Sequence, residues 1–310
     1  MNNPFDLDEE ILAFIDDSNK WYADTPDNHT LSTVELREAY DRLCQAYHHP
    51  YPEGVTAQDS EIPSGAARIP IRSYRCQEMS ADTAIVYYHG GGYILGGLES
   101  HDSICAELCS NTGLAVISVD YRLAPEYKYP VHFEDAMAGF LAVSEQFSRI
   151  IVAGDSAGGN LAAGICVATA HQEQKPIGQL LIYPTLGGDQ LDLGSYREMG
   201  EAPMLTTADM IFYQTARCQG EPPKNDPIFS PILTSHYEAL PACYAFSADV
   251  DPLRDDAEVY VQRLVAAGVE AHYSNAPGLI HGHLRARHCS QKARDNFREI
   301  CDAAIALAQT

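Results

Sequence analysis

The sequence predicts an α/β fold in which helices cover both faces of a mostly parallel central sheet. Two observations lead to this prediction. Short segments rich in β-branched and aromatic residues alternate with longer segments whose apolar residues recur every three or four positions. A chain of 310 residues with 45% hydrophobic residues can also bury the large core of such a sheet within one domain.

The strand candidates are seven short apolar segments, at residues 69–74, 83–88, 115–120, 150–153, 179–183, 242–248 and 271–274. Helical spacing between the later strands is found at residues 132–147, 161–172 and 255–268. Active sites on parallel sheets lie at the carboxyl ends of the strands. We therefore expect the functional residues just after these strands.

Two further parts of the chain lie outside this alternation. Residues 9–22 and 32–47 have amphipathic helical patterns, and a stretch from about 187 to 223 contains another. Both parts are typical of a helical cap. The sequence thus predicts N-terminal cap helices within residues 1–50 and a catalytic domain of residues 51–310 that carries the second cap segment as an insertion.

A nucleophile elbow is predicted at residues 151–160, IVAGDSAGGN, which place Ser156 between a β-type run and a helical segment. A nucleophilic serine needs such a tight turn with strained backbone angles. Residues without bulk at Gly154 and Gly158 let the strand and the helix pass closely. The helix N-terminus then favours negative charge near the hydroxyl.

A glycine run follows the second predicted strand, where His89 precedes Gly90, Gly91 and Gly92. Acyl-transfer enzymes need bare backbone amides at the oxyanion of the tetrahedral intermediate, where one donor contributes about 3 to 4 kcal/mol. Alone, the run would indicate a flexible turn. Beside a serine elbow it indicates an oxyanion hole.

A candidate acid and a candidate base lie near the carboxyl end of the chain. Asp251 follows the sixth predicted strand, and His281 follows the seventh. Serine, acid and histidine thus occur in the order that accompanies a serine elbow in an α/β sheet. Asp249, Asp255 and Asp256 crowd the same loop, so spacing alone leaves the acid open. Asp255 is better placed as a carboxylate at the start of the next helix.

Five ordered motifs together carry a family resemblance. They are HGGGY followed by Gly96 and the pair His101-Asp102, YRLAPEYKYP at 121–130, GDSAGGN at 154–160, DPLRD at 251–255 and IHG at 280–282. The chain resembles the hormone-sensitive-lipase-like family of α/β-hydrolases, most of all its branch of microbial carboxylesterases with a GDSAG elbow. The resemblance extends from about residue 88 to residue 282.

The resemblance implies an α/β-hydrolase fold with a helical lid over the serine, and a serine carboxylesterase that works without metal or cofactor. Because the lid is small, we expect short-chain acyl esters to be hydrolysed through an acyl-enzyme intermediate. Carried onto this chain, the resemblance implies Ser156 as the nucleophile, Asp251 and His281 as its partners, and oxyanion-hole amides at Gly91, Gly92 and Ala157.

Four further residues are expected to contact the substrate: His89, Gly90, Tyr93 and His283. The family usually carries an aromatic residue at the position of His283. We interpret His283 as a histidine that lines the pocket, because neither an HExxH motif nor a carboxylate-rich neighbour supports a zinc site. In YRLAPE, Arg122 and Glu126 are expected to form an ion pair that braces their loop.

The balance of charge narrows the choice of partners. Lys and Arg number 20 against 43 Asp and Glu, a net charge of −23 that repels phosphate backbones and anionic lipids. We expect a small-molecule ester as the ligand, with neither nucleic acid nor membrane as a partner. The segment AHYSN at 271–275 carries no charge apart from a titratable histidine, and an unpaired edge strand there predicts a possible homodimer.

The nine cysteines are scattered, odd in number and without a CxxC pair, which indicates free thiols in a reducing compartment. The first residues are acidic where a secretory signal would be basic, so a cytoplasmic location is expected. Cys105 and Cys109 could imitate a metal site with His101. Packing in the core is the preferred interpretation, because their helix must bury one face.

Three other interpretations were weighed. A dinucleotide or phosphate loop is disfavoured, because GxGxxG requires glycine where Ser156 stands and no GK[ST] follows. A ligand-binding receptor like the gibberellin receptors, which resemble the family but lack a working triad, is disfavoured because this chain has all three residue types. An amide or formamide hydrolase shares the triad, and the sequence does not separate it from an esterase.

Overall fold

A computed structural model describes residues 3–22 and 31–310. An eight-stranded sheet forms the centre, in the order β1-β2-β4-β3-β5-β6-β7-β8. The strands are β1 Thr56–Ser64, β2 Ala67–Arg75, β3 Thr83–Tyr88, β4 Ala115–Val119, β5 Arg149–Asp155, β6 Gly178–Ile182, β7 Ala242–Val250 and β8 Ala271–Ile280. The six strands from β3 to β8 all run parallel to one another, while β2 is antiparallel to β1 and β4. The predicted fold class is confirmed.

All seven predicted strands are present, and β1 is the addition. Its sequence, TAQDSEIPS, is mostly polar, and most of its residues are exposed at the edge of the sheet. Ion pairs across the β1–β2 hairpin join Arg68 to Glu61 and Arg72 to Asp59. Backbone pairing with β2 and surface ion pairs therefore hold β1 in the sheet. Its sequence lacks the apolar pattern that predicts the other strands.

The α-helices lie between and outside these strands. They are α1 Glu9–Asn19, α2 Thr33–Ala46, α3 Asp102–Thr112, α4 Val131–Ser144, α5 Ala157–Thr169, α6 Ser195–Glu198, α7 Thr207–Arg217, α8 Arg254–Ala266 and α9 Gln291–Gln309. Capping boxes begin α2 at Ser32 and α7 at Thr206, where each hydroxyl accepts the amide hydrogen of the third helical residue. The helices predicted in both cap segments are thus present.

Helices on both faces of the sheet bury alternate residues of each strand. In β3, Ala84, Val86 and Tyr88 pack in the core shared with α4, α5 and α8. Ile85 and Tyr87 pack on the opposite face with α3 and α9. The near-continuous apolar sequence of β3 reflects burial on both sides.

The N-terminal helices pack over the carboxyl edge of the sheet. Ile11 and Phe14 of α1 join a cluster with Val250 and Ile280 at the ends of β7 and β8. Leu36 of α2 joins a second cluster with residues of α7 and with Ile94 and Leu95 of residues 89–96, the glycine loop. The segments predicted as a cap therefore lie over the strand ends where the functional residues are expected.

The predicted ion pair within YRLAPE is wrong. The Arg122 guanidinium binds Asp135 of α4, with Nη2 at 2.7 Å from Oδ1. Glu126 instead receives two hydrogen bonds from Arg37 of α2, each 2.8 Å long. Arg122 and Glu126 therefore bind different partners, and the ion pair between Arg37 and Glu126 attaches α2 to the rest of the protein.

None of the helices within 3–22 and 31–310 combines the length and the apolar composition needed to cross a bilayer.

Candidate active site

Ser156 stands at the sharp turn between β5 and α5. Its φ of 54° and ψ of −117° fall in a region that L-residues rarely adopt. The turn requires glycine on both sides, because an added Cβ would lie 1.8 Å from the Tyr88 carbonyl oxygen at Gly158 and 2.4 Å from the Gly158 carbonyl carbon at Gly154. The predicted elbow is present, with Ser156 at the N-terminus of α5.

A chain of two hydrogen bonds joins the serine, the histidine and one aspartate. The Ser156 Oγ is 2.9 Å from the His281 Nε2, and the His281 Nδ1 is 2.7 Å from the Asp251 Oδ2. Asp251 is fully buried and also accepts the Leu253 amide hydrogen at 2.9 Å. The carboxylate is thus fixed behind an imidazole that reaches the serine hydroxyl.

The other aspartates of the loop have different partners. Asp249 accepts hydrogen bonds from residues of β8, and Asp255, in the first turn of α8 as expected, accepts the Ser195 amide hydrogen. Asp256 accepts the amide hydrogens of Leu186 and Gly188. Of these four aspartates, only Asp251 contacts the histidine beside the serine.

Three residues that line the cavity together with Ser156 carry the amides expected to form the oxyanion hole. Gly91 and Gly92 have φ values of 124° and 60°, and Ala157 is the first residue of α5. An added Cβ at Gly91 would lie 2.2 Å from the Leu95 carbonyl oxygen, so the tight loop requires glycine. All three residues line the same cavity as Ser156, and within 3–22 and 31–310 their amides have no hydrogen-bond acceptor.

Asp155 supports the glycine loop from behind, a role that the sequence alone did not indicate. Its carboxylate accepts the Gly90 amide hydrogen at 2.9 Å and the Tyr87 hydroxyl hydrogen at 2.8 Å, and His101 Nε2 lies 3.3 Å away. Burial works against its charge, yet its pKa lies below the usual range because His101 and Tyr87 bind the carboxylate. The ionised group therefore holds the loop against the elbow.

Three of the four expected substrate contacts are wrong. His89 is fully buried, stacks on Tyr121 with ring centroids 4.3 Å apart, and has its pKa lowered to about 3 by burial. Gly90 donates its amide hydrogen to Asp155 and does not line the cavity. The His283 side chain is also fully buried, 2.9 Å from the Ile280 carbonyl oxygen and 2.8 Å from the Asn296 side-chain oxygen.

The cavity above the serine encloses about 610 Å³. Tyr93 lines it, as expected, together with residues of α2 and α7 and two buried arginines that the sequence did not indicate, Arg217 and Arg285. An added Cβ at Gly92 would lie 2.4 Å from the Tyr213 ring, so α7 rests directly on the glycine loop. Residues of both cap segments thus line the cavity above the serine.

Cys105, Cys109 and His101, which could imitate a metal site, have different surroundings in the structure. Cys105 and Cys109 are fully buried in the core, as the preferred interpretation held, and His101 faces Asp155. No group of three or more His, Cys, Asp or Glu that could hold a metal ion occurs among the described residues.

Comparison with known proteins agrees with this geometry. A family model described as alpha/beta hydrolase fold matches residues 85–285. Carboxylic ester hydrolase LipN of Mycobacterium tuberculosis is 34% identical, covering 81% of this chain and 70% of its own length. An ethyl acetate hydrolase of Pseudomonas putida is 31% identical, covering 76% of this chain and 77% of its own length.

Solved structures show the same architecture. EstE1, a thermostable carboxylesterase cloned from a metagenomic library, superimposes with a TM-score of 0.84 at 32% identity, covering 90% of this chain and 99% of its own. Its fold and the fold of this chain are therefore the same over nearly the whole length. From these matches, the chain belongs to the hormone-sensitive-lipase-like family of α/β-hydrolases and is a carboxylesterase.

Proposed function

We propose that this carboxylesterase hydrolyses short-chain acyl esters through an acyl-enzyme on Ser156. The observation that carries the proposal is the chain of hydrogen bonds, 2.9 Å from Ser156 to His281 and 2.7 Å from His281 to Asp251. In the first step the His281 Nε2 takes the hydroxyl proton while the Ser156 Oγ bonds to the ester carbonyl carbon. Asp251 orients the imidazole and stabilises its positive form.

The amides of Gly91, Gly92 and Ala157 then bind the carbonyl oxygen as it becomes an oxyanion. His281 gives its proton to the departing alcohol oxygen as the ester C–O bond breaks, which leaves the acyl group on Ser156. Water loses a proton to the same imidazole and attacks the acyl carbon, and the bond from this carbon to the Ser156 Oγ then breaks. His281 returns the proton to the Oγ as the acid is released. The bare amides and the rigid elbow support this sequence of steps.

The size of the cavity supports a preference for short acyl chains. A volume of about 610 Å³ fits a small ester, since ligand pockets range over roughly 300 to 1,000 Å³. The two cap segments, 1–50 and 187–223, are proposed to form the lid of a catalytic domain of residues 51–310. The name of the Pseudomonas putida relative, ethyl acetate hydrolase, supports the same substrate class.

A panel of p-nitrophenyl esters tests the substrate class, with formanilides run beside them. We expect kcat/KM to peak between acetyl and hexanoyl esters because the two cap segments bound the space beside Ser156. Faster turnover of formanilides than of any ester would make the protein an amide hydrolase. Strong activation by an emulsified long-chain triglyceride would instead make it a lipase.

We also propose a homodimer that pairs through β8. This strand hydrogen-bonds to β7 on one side only and lies at the edge of the sheet, and it carries no charged residue besides His272. Light scattering at low and at high salt tests this proposal. A dimeric mass in both is expected, and a monomeric mass in both would rule the dimer out.

The cytoplasmic location remains a proposal that rests on the thiols. All nine cysteines are unpaired, and most are buried, which suits a reducing compartment.

A further inference from the structure

Arg217, the last residue of α7, is a buried cation in the wall of the cavity. The side chain is only 4% exposed. In the part of the chain that the structure describes, no carboxylate lies within 4.0 Å of its guanidinium. A buried charge without a counter-ion is costly.

Among the described residues, the side chains that contact the Arg217 guanidinium are neutral. The guanidinium carbon lies 3.9 Å from the Tyr93 ring centroid and 4.0 Å from the Phe229 ring centroid. Its Nε donates to the His132 Nε2 at 3.2 Å, and its Nη2 donates to the Asn160 Oδ1 at 3.1 Å. Burial and the arginine charge lower the pKa of His132 to about 2, so this histidine adds no second charge.

The Tyr93 hydroxyl is a second buried polar group beside Arg217. The Tyr93 hydroxyl is fully enclosed and has no hydrogen-bond partner within residues 3–22 and 31–310. Burial raises the pKa of Tyr93 to about 12, so the hydroxyl is a neutral donor. A cation and a hydroxyl donor therefore stand together in the wall of the cavity, and both residues line it.

Two contacts connect α7 and its last residue, Arg217, to the elements that carry the reacting groups. Asn160, which it contacts, lies one turn of α5 after Ser156, a rise of about 6 Å. Tyr213, one turn before it on α7, packs against Gly92 of the glycine loop. Arg217 is thus connected through Asn160 to the helix that begins after Ser156, and through α7 to the glycine loop.

We propose that Arg217 and the Tyr93 hydroxyl bind a carboxylate at the far end of the acyl chain, so that the favoured substrates are monoesters of short dicarboxylic acids. The proposal rests on the serine esterase function above and specifies its substrate class. Charge-assisted hydrogen bonds from a guanidinium suit a carboxylate in a site that excludes water. The ligand would then supply the counter-ion that the protein lacks at this position.

Arg285, the second buried arginine of the cavity, has different hydrogen-bond partners from Arg217. Its Nη2 donates to the Tyr40 hydroxyl at 2.6 Å, and its Nε donates to the Cys44 Sγ at 3.4 Å. Both partners belong to α2. Arg285 therefore holds the lid to the core, and its replacement distinguishes a general effect of cavity charge from a site at Arg217.

The test compares monoethyl esters of succinate, glutarate and adipate with ethyl esters of the matching unbranched monocarboxylic acids, at 0.3 M salt to screen the acidic surface. Substrate selectivity is the ratio of kcat/KM for the charged ester to that for its neutral match. We expect a charged ester to be preferred by the wild type, and Arg217→Gln to lower the ratio about 10- to 100-fold. Arg149→Gln, which removes the same charge at the opposite end of β5, should leave the ratio unchanged.

Two outcomes would overturn the proposal: equal ratios in wild type and Arg217→Gln, whether or not both substrates are hydrolysed more slowly, or loss of selectivity in Arg285→Gln alone. Should Arg217→Gln not fold, the wild type still decides, because glutarate should inhibit neutral ester hydrolysis at least tenfold more tightly than pentanoate. Equal inhibition contradicts the proposal. Hydrolysis of the neutral esters tests the esterase function separately.

Discussion

Replacement of Ser156 by alanine is expected to lower kcat for ester hydrolysis on the order of 10⁵- to 10⁶-fold. The reason is that the Oγ 2.9 Å from the His281 Nε2 is the atom proposed to attack the ester. Losing one hydroxyl that is 9% exposed removes little packing, so thermal unfolding should stay near that of the wild type. Hydrolysis of p-nitrophenyl butyrate and circular dichroism together measure both effects.

Ser144→Ala provides the matched control. The Ser144 Oγ donates to the Phe140 carbonyl oxygen within α4, and the residue does not line the cavity. This variant should retain wild-type kcat. If Ser156→Ala kept more than a trace of activity in a folded protein, the nucleophile would have to be another group.

Replacement of the two neighbouring histidines should have opposite consequences. His281→Ala removes the proposed general base and should lower kcat on the order of 10⁵-fold while the protein stays folded. His283→Ala should leave kcat and KM near wild type and lower the free energy of unfolding by about 1 to 3 kcal/mol. The loss is expected because its ring bridges the Ile280 carbonyl oxygen and Asn296 in a fully buried position.

Steady-state kinetics and urea unfolding of both variants distinguish the roles. A shift in chain-length preference of His283→Ala would restore the expectation that this histidine lines the pocket. Equal catalytic losses in the two variants would mean that the base is wrongly assigned.

Six of the seven strands predicted from the sequence are buried on at least one face, whereas the predicted part of β8, residues 271–274, is at most partly buried. Their apolar composition is a direct consequence of that burial. The unpredicted β1 lies at the edge of the sheet and is held by backbone pairing with β2 and by surface ion pairs, so its sequence carries no apolar signal. Edge strands of this kind escape a prediction that depends on hydrophobic pattern.

Candidate site residues could be predicted where a motif fixes the backbone, as at Ser156 and Gly91. They could not be predicted where the role of a residue depends on whether its side chain points into the cavity or into the core. His89 and His283 lie next to site residues in sequence, but each ring points into the core. Arg217 belongs to no recognisable sequence motif. Its position in the cavity depends on how α7 packs on the glycine loop.

Covalent labelling tests the central claim most directly. A p-nitrophenyl phosphonate should react as the Ser156 Oγ bonds to phosphorus and p-nitrophenolate departs. Mass spectrometry is expected to find one phosphonyl group per chain, on the peptide that contains Ser156, with activity lost in proportion and no label in Ser156→Ala. Labelling of a different residue in step with the loss of activity, or full activity after labelling of Ser156, would contradict the account.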